Sequence, residues 1–237
     1  TERGLKYFFR VAPTDFHDSR MFFTFLDDMK KQGKDVKRIA MVYERTEFGV
    51  HAMKEVKKRI AESGGAYELV ADVPYEDKAT DVNAEVLKIK AAKPDVIIHA
   101  TLFSEMTLFA KTYQNLGVKT QANISFCGGY QNPKFASQLG DTVEGYMGSC
   151  TFAEDFISKK AQLKKINEMY KAKTGMNLDG IAMEGFTPLF VAADAFNRAK
   201  DLSPDAIRDA LATTALEIET MPGKGVKFDA NGQNIWI

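Results

Sequence analysis

Between residues 38 and 127, short apolar runs of strand type alternate with segments of helical periodicity, and this alternation restricts the fold more than any other feature. Residues 38–43 (RIAMVY), 67–73, 95–101 (DVIIHAT) and 123–127 read as strands. After the first, Val50, Met53, Val56 and Ile60 recur at helical spacing until Gly64-Gly65 ends the helix. A second helix starts near Asp81, a plausible N-cap, and carries Val82, Val86 and Ile89 on one face until Pro94 stops it. A third, capped by Ser104, turns Met106, Phe109, Tyr113 and Leu116 inward and finishes at Gly117. Four strands joined by helices imply an α/β fold: a parallel sheet with right-handed crossovers, flanked by helices on both faces. Ligands of such sheets sit beyond the carboxyl ends of the strands. The segments to watch are therefore residues 44–49, 102–105 and 128–131.

The texture changes after one more strand-like run at 145–150. Residues 157–174 form a lysine-rich amphipathic helix, 181–200 a more apolar one, and 203–214 a third, with Ser203 as N-cap and Pro204 at the first helical position. Little strand lies between them. A helical face of Phe186, Leu189, Phe190, Ala193 and Phe196 requires an apolar partner that this half has too few strands to supply. Residues 6–11 (KYFFRV) read as a strand entering from something upstream, and 234–237 (NIWI) as the start of a final strand. The expectation is a sequence that lacks part of its fold.

The chemistry of the chain is mostly negative. Its 32 basic and 32 acidic residues balance, and the lysine clusters at 30–31, 57–59 and 159–160 fall on amphipathic helical stretches, so they read as solvated helix faces and nucleic acid is not expected as a partner. No apolar stretch approaches the roughly 20 residues a bilayer span needs, and no signal peptide is present. Pro222-Gly223-Lys224-Gly225 has the letters of a phosphate loop without its spacing or its helix, and reads as a turn. His17, His51 and His99 lie far apart and outside metal-motif spacing, so no metal or other cofactor is implied; His99, inside an apolar strand, reads as a packed histidine. Cys127 and Cys150 read as two buried free thiols. A nucleophilic role for Cys127 would need a nearby base that the sequence does not supply. No catalytic residue stands out, and the chain does not read as an enzyme.

Several local strings match a known family. Tyr7-Phe8-Phe9-Arg10 with Ala12-Pro13, residues 36–43 followed by Thr46-Glu47-Phe48-Gly49, and Lys93-Pro94-Asp95-Val96-Ile97 appear in order along the chain. Residues 114–119 (QNLGVK), Gly140-Asp141 with Glu144-Gly145, and Phe228-Asp229-Ala230-Asn231-Gly232 complete the series. Together they resemble the type I periplasmic substrate-binding proteins of the leucine/isoleucine/valine-binding family, over essentially the whole chain. The resemblance implies a two-lobed α/β fold whose first lobe is incomplete here. Residues 1–13 would be a first crossing and 14–147 the second lobe, which forms a wall of the ligand site. Residues 148–220 would be the helical part of the first lobe, and 221–237 a third crossing with the start of the final strand.

The same resemblance implies a receptor on the periplasmic or extracellular side that passes an amino acid, or a related aliphatic or aromatic carboxylate, to a membrane ABC permease. The ligand would lie between lobes that close on it, with its carboxylate held by an N-terminal segment absent from this chain. Phe48 falls at the loop aromatic of the family's second lobe, Phe103 at an aromatic after the third strand, and Cys127, followed by Gly128, where amino-acid binders place the glutamate that holds the ammonium group. A thiol cannot replace a carboxylate in a charge-assisted hydrogen bond worth about 1.5–3 kcal/mol. Either Glu47 or Glu105 reaches in instead, or the ligand has no ammonium group. The alternatives are a sensory ligand-binding domain of the same fold and an α/β enzyme using Cys127.

Overall fold

The computed structural model describes residues 3–126, 129–130, 133–221 and 223–237. They form two compact units: residues Thr14–Ser149 make one, and Thr1–Pro13 with Cys150–Ile237 make the other. The chain therefore passes from one unit to the other at 13/14 and back at 149/150.

The continuous unit opens with α1 (Asp15–Lys31) and then alternates: β1 (Arg38–Glu44), α2 (Glu47–Glu62), β2 (Glu68–Tyr75), α3 (Asn83–Ala92), β3 (Val96–Ala100), α4 (Phe103–Leu116), β4 (Ala122–Ser125), α5 (Pro133–Leu139), a 3-10 turn (Gly140–Val143) and β5 (Tyr146–Gly148). The strands make one sheet in the order β2-β1-β3-β4-β5, every pair parallel. In β1 every residue but Arg38 is buried, and in β3 all five are. That is why RIAMVY and VIIHA read as unbroken apolar runs, since strands covered on both faces need no polar alternation. β2 lies at the edge and alternates, and Pro74 is tolerated there because an edge strand has a free side.

Two cores result. Phe22, Phe23 and Leu26 of α1 and Ala52 and Val56 of α2 pack with Ile39, Met41, Val96 and Ile98 on one face of the sheet. Val86 and Ile89 of α3 and Met106, Phe109 and Tyr113 of α4 pack with Ala40, Val42, Val73 and Ile97 on the other. Helix α1 is a feature that the alternation did not disclose. Two helix starts differ from expectation. Asp81 is not the N-cap of α3 but precedes it, its carboxylate accepting the Asn83 backbone N–H at 2.8 Å, with Val82 at the cap. Ser104 lies inside α4, whose N-cap is Leu102.

The discontinuous unit contains α6 (Phe156–Lys159), α7 (Ala161–Thr174), α8 (Gly180–Arg198), α9 (Pro204–Ala212) and an antiparallel hairpin of β6 (Ala215–Glu217) and β7 (Gly225–Lys227). The helix expected at 157–174 is broken at Lys160, which is extended at φ −133°, ψ 124°. The Lys160 ammonium there donates to the carbonyls of Glu219 and Met221, contacts that a straight helix would not direct at that loop. Residues 6–11 are not a strand: only Arg10 forms a bridge, parallel, to Gln233. Residues 235–237 are not a strand either, and Asn234 bridges Phe228 instead. In both segments alternating apolar residues are present, but extended pairing ends where the facing chain turns at Asp229–Gly232. Of the apolar face expected on α8, Phe186 and Phe190 pack on the core around Leu163 and Met183, whereas Leu189 and Phe196 are 67% and 49% exposed. A second small core joins Val191, Met221, Val226 and Phe228, with Phe9 and Val11 against it.

Candidate ligand-binding site

The strand order places a switch point between β1 and β3: the helix after β1 covers one face, and the helices after β2 and β3 cover the other. Ligands of open parallel sheets bind outside the carboxyl ends of the strands at such a point. The residues brought there are Glu44, at the end of β1, and the turn to α2; Thr101 and the turn to α4; and Tyr75, at the end of β2.

Register fixes their relation. Glu44 pairs with Tyr75 across β1 and β2, and Tyr43 pairs with Ala100 across β1 and β3, which brings Thr101 alongside Glu44. Side chains alternate along a strand, so Glu44 shares its face with Ala40 and Val42, and Thr101 shares the same face with Ile97 and His99. A polar group thus stands where each strand's pattern calls for an apolar one. All three are buried: Glu44 is 4% exposed, Tyr75 2% and Thr101 0%.

Glu44 is held from the α2 side. Its Oε1 accepts the Thr46 hydroxyl at 2.6 Å, and Thr46 in turn caps α2 by accepting the Gly49 N–H at 3.4 Å. The helix comes so close that a Cβ at Gly49 would lie 2.1 Å from the Glu44 carbonyl oxygen. Here glycine is required for close approach, not for turn geometry. Gly129 comes close to Thr101 with less crowding, since a Cβ there would meet the Thr101 carbonyl oxygen and Met106 Cγ at 3.0 Å.

Among the described residues, Glu44 Oε2 is buried without a hydrogen-bond partner, and the Tyr75 and Thr101 hydroxyls are buried with none but each other. A buried polar atom left unpaired costs about 1–3 kcal/mol, more if charged. Burial above all pushes the Tyr75 phenol above its usual range; the nearby Thr101 hydroxyl opposes this, and the charges of Glu44, Glu105 and Asp77 add to it. Deeper on the same face, His99 is fully buried, and burial lowers its pKa to about 3, so it is neutral. Its Nε2 lies 3.4 Å from the Tyr113 hydroxyl and its Nδ1 has no partner.

The structure disperses the sequence-derived candidates. Phe103 and Glu105 share the first turn of α4, Phe103 half-buried against the core of that face and Glu105 buried. Phe48 is half-buried against the core of the opposite face, and Glu47 is exposed in the first turn of α2. Cys127 and Gly128 lie outside the described residues. Cys150, expected as a buried thiol, is exposed, although its neighbours Ser149 and Thr151 are buried. Sequence reasoning included Glu44 only as part of a turn and missed Tyr75 and Thr101. The available signal was parity, because each falls in phase with the apolar positions of its strand. No group of three or more His, Cys, Asp or Glu side chains among the described residues is placed to hold a metal. No helix among them is long and apolar enough to cross a membrane.

A family model described as periplasmic binding protein matches residues 1–235. Leu/Ile/Val-binding protein homolog 7 of Brucella suis biovar 1 (strain 1330) is 28% identical over 242 residues, which cover 99% of this chain and 60% of that protein. The chain therefore spans about 60% of the length of that curated relative. The crystal structure of a leucine-binding protein, LivK, from Thermotoga maritima MSB8 superposes with a TM-score of 0.83 at 21% identity, covering 99% of this chain and 64% of that one. A fatty acid ABC transporter substrate-binding protein from Thermomonospora curvata superposes at 0.79 and 20% identity, covering 94% and 58%. Family and fold are those of binding proteins rather than of enzymes. The chain belongs to the periplasmic binding protein family.

Proposed function

We propose that this chain belongs to an extracytoplasmic solute receptor of an ABC transporter, one that takes an amino acid or a related small carboxylate at the carboxyl edge of the five-stranded sheet and delivers it to a membrane permease. The observation that carries the reading is the family match over residues 1–235, joined to a sheet whose switch point gathers buried polar side chains. Phe103 and Phe48, each half-buried beside a strand end, are suited to the apolar body of the ligand. A carboxylate reading draws further support from the Thermomonospora curvata relative, which is described as a receptor for fatty acids. In this reading Cys127 and Gly128 keep the ligand-contacting role that the resemblance implies, and Glu105 or Glu47 supplies negative charge that Cys127 does not. The remaining ligand contacts, including those to its carboxylate, come from parts of the receptor outside this chain.

Micromolar affinity corresponds to about −8 kcal/mol, and a ligand at 100 times its Kd stabilises the folded state by about 2.7 kcal/mol. A thermal-shift screen of the full-length protein against amino acids, aliphatic carboxylates and aromatic carboxylates should therefore give a rise of several degrees with at least one class, and Phe103→Ala should shrink it. A screen in which no member of any class moves the melt would refute the reading.

A further inference from the structure

Residues 156–175 carry six lysines and one acidic residue, whereas residues 176–219 carry eight acidic residues and three basic ones. The chain as a whole is neutral, so its charge is segregated rather than low. Most of the positive block lies on α7. Leu163, Ile166 and Tyr170 recur at helical spacing and pack on the core, which turns Lys164, Lys165, Lys171 and Lys173 out to solvent, all four exposed.

The carboxylates nearby in sequence and space are engaged elsewhere. Asp155 pairs with Lys159, and the Glu219 carboxylate accepts the Gln162 backbone N–H at 2.8 Å. Glu154 accepts the Asn177 amide at 2.6 Å, and Asp179 caps α8. Glu168 is the one acidic residue of α7. Among the described residues, none of the four ammonium groups has a carboxylate within ion-pairing distance. Met169 and Met176 stand beside them, 59% and 55% exposed. Arginine, the residue suited to bidentate capture of a single phosphate, is absent from residues 156–175. Uncompensated lysines with soft apolar side chains between them fit a surface of diffuse negative charge that has an apolar layer beneath it.

We propose that the exposed face of α7 is a docking surface for an anionic lipid bilayer, on which the helix lies without entering the hydrocarbon. The four ammonium groups meet headgroup phosphates, and the two methionines reach the interfacial layer. This surface is separate from the ligand-binding edge of the five-stranded sheet and does not depend on what the cargo is. For a receptor that serves a membrane permease, such contact confines the search for its partner to a plane.

The test is cosedimentation of the full-length protein with vesicles of phosphatidylcholine alone and of phosphatidylcholine mixed with phosphatidylglycerol. The wild type should bind the mixed vesicles at low salt and not the neutral ones. It should be released at about 0.5 M salt, where screening acts within a few ångströms. Each lysine near an anionic surface strengthens binding about fivefold. Lys164→Gln, Lys165→Gln, Lys171→Gln and Lys173→Gln together should therefore weaken binding by about a hundredfold or more. The same exchange at Lys34, Lys54, Lys111 and Lys119, exposed lysines of the other unit, alters net charge equally and should leave binding unchanged.

Equal binding to both kinds of vesicle overturns the proposal, as does equal loss in the two fourfold variants, which would make net charge rather than α7 the cause. Absence of binding to the mixed vesicles overturns it too and leaves an acidic protein surface as the partner of α7. If the fourfold α7 variant does not fold, undiminished binding by Lys164→Gln with Lys171→Gln has the same force.

Discussion

His99 titrates differently in the folded and unfolded chain, and the direction of its effect on stability follows from burial alone. Unfolded, it takes up a proton near pH 6.5; folded, enclosed by Phe109 and Tyr113, it does so only near pH 3. Throughout that window the unfolded state holds more protons, so stability is full above pH 6.5 and is lost as pH falls toward about 3, by up to about 1.4 kcal/mol per pH unit from this group. His99→Leu should flatten the slope of urea midpoint against pH in that range relative to wild type, and parallel slopes would show that His99 is already charged when folded. The sequence indicated a packed histidine here because a lone His inside an apolar strand has no exposed face to occupy. It did not single out Glu44, Tyr75 or Thr101. Their importance lies in three strands meeting in register, and register is a long-range property that no single strand encodes. Phe48 and Phe103 were legible as strand-end aromatics, yet the cores they lean on are on opposite faces of the sheet, which only the order of the strands decides.

At the scale of elements, capping separates what was readable from what was not. Ser203 was readable because Pro204 and Asp205 follow it, and its hydroxyl does accept the Ala206 N–H, at 3.3 Å. Asp179 does the same for α8, accepting the Ala182 N–H at 2.8 Å, but Gly180 after it obscures the start of the helix. Asp179→Ala should cost about 1 kcal/mol. The single tryptophan, Trp236, lies in the same unit as α8, so its fluorescence during urea unfolding should report the lower midpoint directly. No change in midpoint would mean that the first turn of α8 is held by packing rather than by its cap. The central strands were legible because burial on both faces leaves an unmistakable run of apolar residues. α1 was legible only as the amphipathic stretch that carries Lys30 and Lys31, and its extent was not, because its apolar positions Phe22, Phe23 and Leu26 are interrupted by exposed Met21 and Phe25, which blur the stripe. The strands expected at both ends failed for a different reason: alternation marks a segment able to pair, and pairing also needs a neighbour of matching length.

The whole molecule consists of one unit whose residues are consecutive and one whose residues are not. Residues 14–149 carry five strands, helices on both faces and two apolar cores of their own. Expressed alone, that segment should melt cooperatively and protect the amides of β1 and β3 from hydrogen exchange; a non-cooperative melt would show that its stability is borrowed. The other unit is closed by contacts of great sequence separation. The Asn234 side chain donates to the Val11 carbonyl across 223 positions, Arg10 N–H donates to the Gly232 carbonyl at 2.8 Å, and the rings of Phe9 and Phe228 stand 5.0 Å apart. At about 5–20 residues per second of synthesis, residues 9–11 leave the ribosome roughly 10–45 s before the segment that will pair with them exists. For that interval Phe9 and the amides beside it travel ahead of an already folding neighbour, so the closure of this unit waits on a segment 223 positions downstream.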